Sequence, residues 1–432
     1  MSFLSESASG IVPAKVVRLD RSRGAEMTEL SGLVWADQRP PERSELALDS
    51  LDFSRAIGVD APRDGGTVLA AMGSAWGFDT PVPGGRVNAS GLTWVSVRPE
   101  FRRRGYLRAL IAQHFEDCRE RGEPVSMLFA SEMAIYGRFG YGLGSTAVEL
   151  KLARGAALRP LPGPQPKVEV RFETASFEAH GALVAALDHQ AVHGTDPRTG
   201  ATESPNQAAL RIEFADEPPR DPAGEPLRIV IAARDGQPTG YALMRRDRKW
   251  EGGVADYTAE VRSSHALDPA SGQALWEALL NIDLVTNVST WLMPLDHPLL
   301  AWLEDWRSAK PVLRDAIHVR LIDLATAWES RRYSSPVDLR LAVRDSLLPG
   351  NNAVWRLAGG PDGASASRIA QVDDAAADLT LDIRELGSVW WGGVSAASLA
   401  DAGLITEHTP GAARSLSQAC AGVRAPAVGR EF

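Results

Sequence analysis

The stretch that most constrains this chain runs from residue 91 to 118, GLTWVSVRPEFRRRGYLRALIAQHFEDC. It opens as an apolar strand, turns on three arginines and a glycine, and continues as a helix. Leu107, Leu110, Ile111, His114, Phe115 and Cys118 recur at helical spacing, which gives that helix one apolar face. The alternation of the strand slips: Leu92 and Trp94 share one face, Val95 and Val97 the other. A bulge that splays the strand from its neighbour would cause this, as would a strand buried on both faces. Gly105 falls at the helix N-terminus, where unpaired N–H groups and the macrodipole favour an anion. Arg102, Arg103 and Arg104 would add charged, forked hydrogen bonds. The ligand suited to this turn carries several phosphates close together.

The rest of the chain narrows the choice. Its 432 residues exceed one ordinary core and imply two to four domains. A formal net charge of −9 argues against a general nucleic-acid surface, and no aromatic interleaving accompanies the arginines. An acidic chain suits a cationic or amine substrate better. Cys118 and Cys420 give no disulfide framework and no zinc spacing. No apolar run reaches membrane-spanning length, and MSFLSESASGIV lacks the basic start of a signal peptide. The expectation is a cytoplasmic protein without nucleic-acid or membrane partners.

Strand and helix signals alternate through the first third, with GFDTPVPGG read as a turn-rich break between two strands. The segment TAVELKLA reads as one strand, and RPLPGPQPK, residues 159–167, as a linker. A similar order of elements then recurs, including a hairpin centred on DGQP. From about Lys310 the pattern changes to a sheet with helices, and RAPAVGREF reads as an extended tail. The expected class is α/β (α+β), with domains at 1–158, 168–309 and 310–432.

Glycines at 137, 140, 142 and 144 do not have dinucleotide-loop spacing. Tyr136 and Tyr141, in the same segment, are both candidate general acids, because a neutral phenol can donate a proton at pH 7. His189 and His193 lie four apart on a helix, but the Glu of His-Glu-x-x-His is missing, so they read as structural and no metal is expected.

The run VSVRPEFRRRGYLRALI resembles motif A of the GCN5-related N-acetyltransferases (GNAT), Arg/Gln-x-x-Gly-x-Gly/Ala. Arg102, Gly105 and Leu107 occupy its three defining positions, Leu107 departing from the preferred small residue. With FASEMAIYGRFGYG, a second GNAT-like unit and a third α/β unit, the whole chain resembles the Eis (enhanced intracellular survival) family. That resemblance implies two tandem GNAT-like domains, the second degenerate, followed by a sterol-carrier-protein-like domain that delivers the chain end. It implies acetyl-CoA held by Val95, Val97, Arg102, Arg103, Arg104, Gly105, Leu107 and Ser131. It places the general acid on Tyr136 and the general base on the terminal carboxylate of Phe432. Trp35, Asp37, Trp94 and Glu431 are candidates for the amine pocket, since aromatic faces and carboxylates attract cations. The implied acceptors are aminoglycosides or other polyamines, and the implied assembly is a homohexamer, a dimer of trimers. Acetylation of protein lysines, or non-catalytic binding of a lipid or small molecule through the C-terminal domain, are the alternatives.

Overall fold

The computed structural model describes residues 14–36, 40–215 and 225–432. Asp37 lies outside them. Three main sheets organise the chain. The first has seven strands in the order Val16–Arg18, Ile57–Arg63, Gly66–Val82, Gly85–Val97, Val125–Phe129, Ile317–Leu321 and Gly142–Leu143. Helices Gly24–Trp35 and Pro41–Asp49 lie toward one face, where Met27, Leu30 and Leu48 pack on Leu69 and Met72. Helix Tyr106–Glu120 covers the other, burying Leu110, Ile111, Phe115 and Cys118 as the apolar spacing predicts.

The second sheet runs Lys151–Ala153, Val285–Thr290, Tyr257–Ala266, Gln237–Asp247, Arg228–Arg234 and Glu169–Thr174. Helices Phe177–His193 and Pro269–Leu280 pack on it; Ser176 caps the first and Asp268 the second. The third sheet runs Gly363–Ala370, Ala353–Gly360, Val337–Arg344, Leu379–Asp382 and Ile405–Glu407. Trp328, Trp390 and Trp391 fill its core.

Three sequence readings change. The strands on either side of GFDTPVPGG do not break there: Gly66–Val82 and Gly85–Val97 pair through to Val82 and Gly85, so the turn is only Pro83 and Gly84. TAVELKLA is two strands in different sheets, Thr146–Glu149 in a small three-stranded sheet and Lys151–Ala153 in the second large one. The sheets also cross the sequence boundaries. Lys151–Ala153, placed in the first domain, pairs with Val285–Thr290 of the second unit. Ile317–Leu321, placed in the third, pairs with Val125–Phe129 of the first. The first and second sheets thus each borrow a strand from beyond their own segment. Ladder hydrogen bonds at Lys151–Ala153 and Ile317–Leu321 tie the units together on either side of the linker read at 159–167.

The third unit seals against the first. Helix Ile383–Trp391 packs on Ile317–Leu321. A Cβ on Gly142 would meet the backbone carbonyl of Arg384. That glycine of the 137–144 run serves helix docking, not a nucleotide.

Candidate active site

The splay that the strand parity suggested is present. Gly85–Val97 pairs in parallel with Val125–Phe129 only through Ala89, Ser90 and Gly91. On its other edge the register shifts between Met72–Ser96 and Ser74–Thr93. Trp94 sits in that shift with φ of 55°, a left-handed conformation rare for a bulky residue. The bulge also corrects the facing of the side chains. Leu92 does not share a face with Trp94. It packs with Ile111, Phe115 and Tyr136, and Val95 lies against the same group. Val97 packs near Leu110. Trp94 points the other way, toward Met27, Leu30 and Trp76.

Past Val97 the chain passes through a short helical turn, Pro99–Phe101, into the arginines. Arg102, Arg103 and Arg104 are exposed. Arg104 stacks over Phe101 at 4.9 Å and donates to the Glu100 carbonyl at 3.3 Å. Arg102 and Arg103 make no ion pair among the described residues. Arg103 and Gly105 have φ of 61° and 82°. A Cβ at Gly105 would meet nothing within 4 Å, so its backbone conformation, not crowding, calls for glycine. Helix Tyr106–Glu120 starts there without a side-chain cap and without an acid in its first turn. Its end charge is therefore not neutralised from within, which fits a phosphate. Leu107 is half-buried against Ile111 and Phe115.

The two candidate acids separate by their hydroxyls. Tyr141 is fully buried; its OH and the Ser126 Oγ are 2.8 Å apart, and Ser126 Oγ is 2.8 Å from His114 Nε2. Burial raises its pKa far above the usual range. Tyr136 ends the short helix Met133–Tyr136, its ring edge-on to Tyr141 at 5.9 Å. Its hydroxyl has no hydrogen-bond partner among the described residues. Burial, with a smaller contribution from Glu132, pushes it up to about 12. It is neutral and free to donate. Ser131 is exposed just before this helix.

The chain end reaches this domain. The Phe432 ring sits 5.0 Å from Phe78, 5.3 Å from Phe129 and 6.3 Å from Trp76, centroid to centroid. It also lies against Gly91, whose added Cβ would be 2.8 Å from the ring. The terminal residue is thus seated where the ladder between Gly85–Val97 and Val125–Phe129 ends. The tail leading to it is extended and pinned. The Ala427 N–H donates to Thr199 O at 2.9 Å, Arg198 donates to Ala425 O at 2.7 Å, and Arg424 pairs with Asp196 at 2.5 Å. Arg430 is buried between Asp188 and Glu213 and donates to Ser204 Oγ at 2.6 Å. Asp188 also accepts from the Tyr241 OH at 2.7 Å. Loss of solvation raises Asp188, a shift that the Arg430 charge opposes.

Of the amine-pocket candidates, Trp35 is half-exposed and donates from Nε1 to Ser96 Oγ at 3.3 Å, beside the bulge. Glu431 reaches solvent on one side and protein on the other, and the lost solvation raises its carboxyl. Sequence reasoning missed Trp76, Phe78, Phe129 and Gly91. Trp76 and Phe78 stand two apart on one strand, a signal that they share a face. The Arg430–Asp188 anchor has no signal within 200 residues of sequence separation. A separate cavity of about 320 Å³, lined by Phe172, Arg228, Arg246 and Glu225 among others, lies in the second unit and holds none of these candidates.

Residues 16–144 and 208–321 match families described as Acetyltransferase (GNAT) domain, and residues 324–429 match Sterol carrier protein domain. The chain is 35% identical to an uncharacterized N-acetyltransferase of Streptomyces avermitilis, across 89% of this chain and 91% of that protein. It is 29% identical to N-acetyltransferase Eis of Mycobacterium tuberculosis, across 80% and 82%. The crystal structure of an Eis protein of Mycobacterium abscessus superposes with a TM-score of 0.78 at 26% identity, covering 97% of this chain and all of that one.

Proposed function

Because the chain belongs to the Eis family of GCN5-related N-acetyltransferases, we propose that it moves the acetyl group of acetyl-CoA onto a small-molecule polyamine, of the aminoglycoside kind or a simpler diamine. The observation that supports this reading is the seat of Phe432: the ring of the terminal residue lies where the strand pair of the first domain splays, in the same domain as a free, neutral Tyr136.

Acetyl-CoA supplies a thioester carbonyl open to direct attack by an amine. The uncapped helix end, Arg102 and Arg103 hold its pyrophosphate, while Val95, Val97, Leu107 and Ser131 border the arm. The bulge at Trp94 leaves strand N–H and C=O groups beyond Gly91 without a partner on Val125–Phe129. These can bind the pantetheine amides. The Phe432 carboxylate pairs with the incoming ammonium and accepts one proton from it, directly or through water. The nitrogen attacks the carbonyl carbon, the C–S bond breaks, and Tyr136 gives its proton to the departing thiolate. A phenol pushed up to about 12 stays protonated at pH 7, so it keeps the proton it is to donate. Trp35, Trp94 and Glu431 face the acceptor side, and Asp37 is kept as a candidate there. The family reading also implies six chains per particle and a cytoplasmic location, where acetyl-CoA is found.

The test is thiol release from acetyl-CoA with aminoglycosides, diamines and a lysine peptide, using the full chain and one lacking Phe432. Amine-dependent release that collapses without Phe432, with folding intact, supports the reading. Release only with the peptide would replace the acceptor class, and release unchanged without Phe432 would remove the terminal base.

A further inference from the structure

Helix Phe177–His193 carries His189 and His193 on one face, one turn apart. Their rings stack at 4.3 Å with 27° between planes. The loop that follows the helix returns Glu203 to them. His189 Nδ1 lies 3.1 Å from one Glu203 oxygen, and His193 Nε2 lies 3.0 Å from the other. The three ligand atoms all fall within 4.8 Å of one another. The sequence reading missed this because the carboxylate stands ten residues beyond the second histidine, across a loop.

We propose that His189, His193 and Glu203 bind one divalent transition-metal ion of the zinc class, which staples the helix to the loop holding the catalytic tail. Two imidazoles and a carboxylate form a donor set that suits Zn²⁺, with bonds of about 2.0–2.2 Å. Ligands on such bonds stand roughly 3.3 Å apart at tetrahedral angles, close to the imidazole–carboxylate spacings seen here. Two turns of one helix supply the histidines without strain, and water completes the shell at this exposed position. Hydrogen bonds alone need each imidazole to present its N–H to the same carboxylate. A cation replaces both protons and satisfies all three groups at once.

The placement gives the ion something to hold. The loop from 194 to 206 is where the tail is fastened, through Asp196, Arg198, Thr199 and Ser204. The same loop touches the first unit, where the Gly200 N–H donates to Pro81 O at 3.0 Å and Asn206 donates to Ser50 O at 2.8 Å. Asp188, the partner of Arg430, directly precedes His189, and Ser204, its other partner, directly follows Glu203. Metal at the triad would thus close the two sides of the Arg430 socket. The metal takes no part in acetyl transfer, and its binding can be read without any acceptor.

The experiment titrates Zn²⁺ into chelator-stripped full-length protein against a chromophoric metal indicator. The expected result is one ion per chain at micromolar affinity or tighter. Affinity should fall at least 30-fold in the His189→Ala/His193→Ala double variant and in Glu203→Gln, both exchanges at a surface site. Release of Phe432 by a metal-independent serine carboxypeptidase should slow about tenfold when Zn²⁺ saturates the wild type, and not in Glu203→Gln. Affinity weaker than about 100 µM, binding unchanged in both variants, or tail release indifferent to Zn²⁺ would each overturn the proposal.

Discussion

Gly91→Ala tests the seat of the terminal residue with a single methyl group. Gly91 lies in regular strand backbone, so alanine adds no conformational strain. The cost is steric. The new Cβ would stand 2.8 Å from the Phe432 ring and closer still to Phe78, against an ordinary contact of 3.4 Å or more. Both rings must retreat, Phe78 by about 1 Å and Phe432 by about 0.6 Å, at an overpacking cost of about 1–3 kcal/mol. Phe78 is buried in the sheet core beside Val87 and Ala89, whereas Phe432 ends a tail and is only partly buried. Phe432, packed on Phe78 at 5.0 Å, is therefore displaced by the methyl group and by the shift of Phe78 together. Displacing a reacting group by about 1 Å costs on the order of 10²-fold in rate. The expected outcome is a 30- to 100-fold fall in kcat by thiol release at saturating acetyl-CoA. KM for acetyl-CoA should barely change, and the midpoint of thermal unfolding should fall by a few degrees while the protein stays folded at the assay temperature. Removing Phe432 as well should add little, because both changes act on one group. A kcat within threefold of wild type in folded Gly91→Ala would refute the reasoning, as would full additivity with the deletion.

The remaining expectations follow from the same geometry. Tyr136→Phe should lower kcat by about 10²–10⁴-fold, while Tyr141→Phe, which removes only the link to Ser126, should lower the unfolding midpoint and spare kcat. Arg103→Ala should raise the acetyl-CoA KM about tenfold with kcat retained, and an unchanged KM would remove Arg103 from the phosphate site. Arg430→Met leaves Asp188 buried without its cation, so tail anchoring should weaken by about 3–5 kcal/mol and kcat should fall toward that of the Phe432 deletion; carboxypeptidase release of Phe432 would read the detachment. Burial holds His114 at about 4, below its ordinary 6.5. The unfolded chain then takes up a proton between those values that the folded chain refuses, so stability falls as pH drops from 6.5 toward 4, by about 3 kcal/mol at most. Thermal unfolding at stepped pH should show a shallower acid slope in His114→Gln; an identical slope would mean His114 is not the group.

The parts of the site that were legible in the sequence are those built from neighbours in the chain. The bulge at Trp94 announced itself as a parity slip, and Arg102 to Gly105 as a turn before an apolar helical face, because backbone conformation there is set by adjacent residues. Even so, the facing of Leu92 was misread: a bulge counts two residues against one, which moves everything on one side of it to the opposite face. What joins distant segments left no trace. Phe78 read as part of the turn-rich break and Phe129 as an ordinary strand residue, and only the fold turns them into a box for Phe432. The exchange of Lys151–Ala153 and Ile317–Leu321 between sheets was equally hidden, since a strand's own residues encode its period and not its partner.

That exchange is also what would make the proposed terminal base workable. A chain end ordinarily frays, because ordering each residue costs about 1–2 kcal/mol and few contacts repay it. Here the last nine residues lie against a loop of the second unit. That unit shares a strand with the segment leaving the first sheet, and the chain returns from it to complete the first sheet through Ile317–Leu321. The loop, the Arg430 socket and the aromatic box thus sit in one hydrogen-bonded frame, and the tail cannot detach without breaking the Arg430–Asp188 ion pair. Cutting the frame should matter more than trimming its surface. Replacing Val319, central in the borrowed strand, with Asp buries a charge between two ladders and should abolish activity at temperatures where the separate helices still give a folded signal. Activity that survives until the whole chain unfolds would show that the tail is held by its local contacts alone.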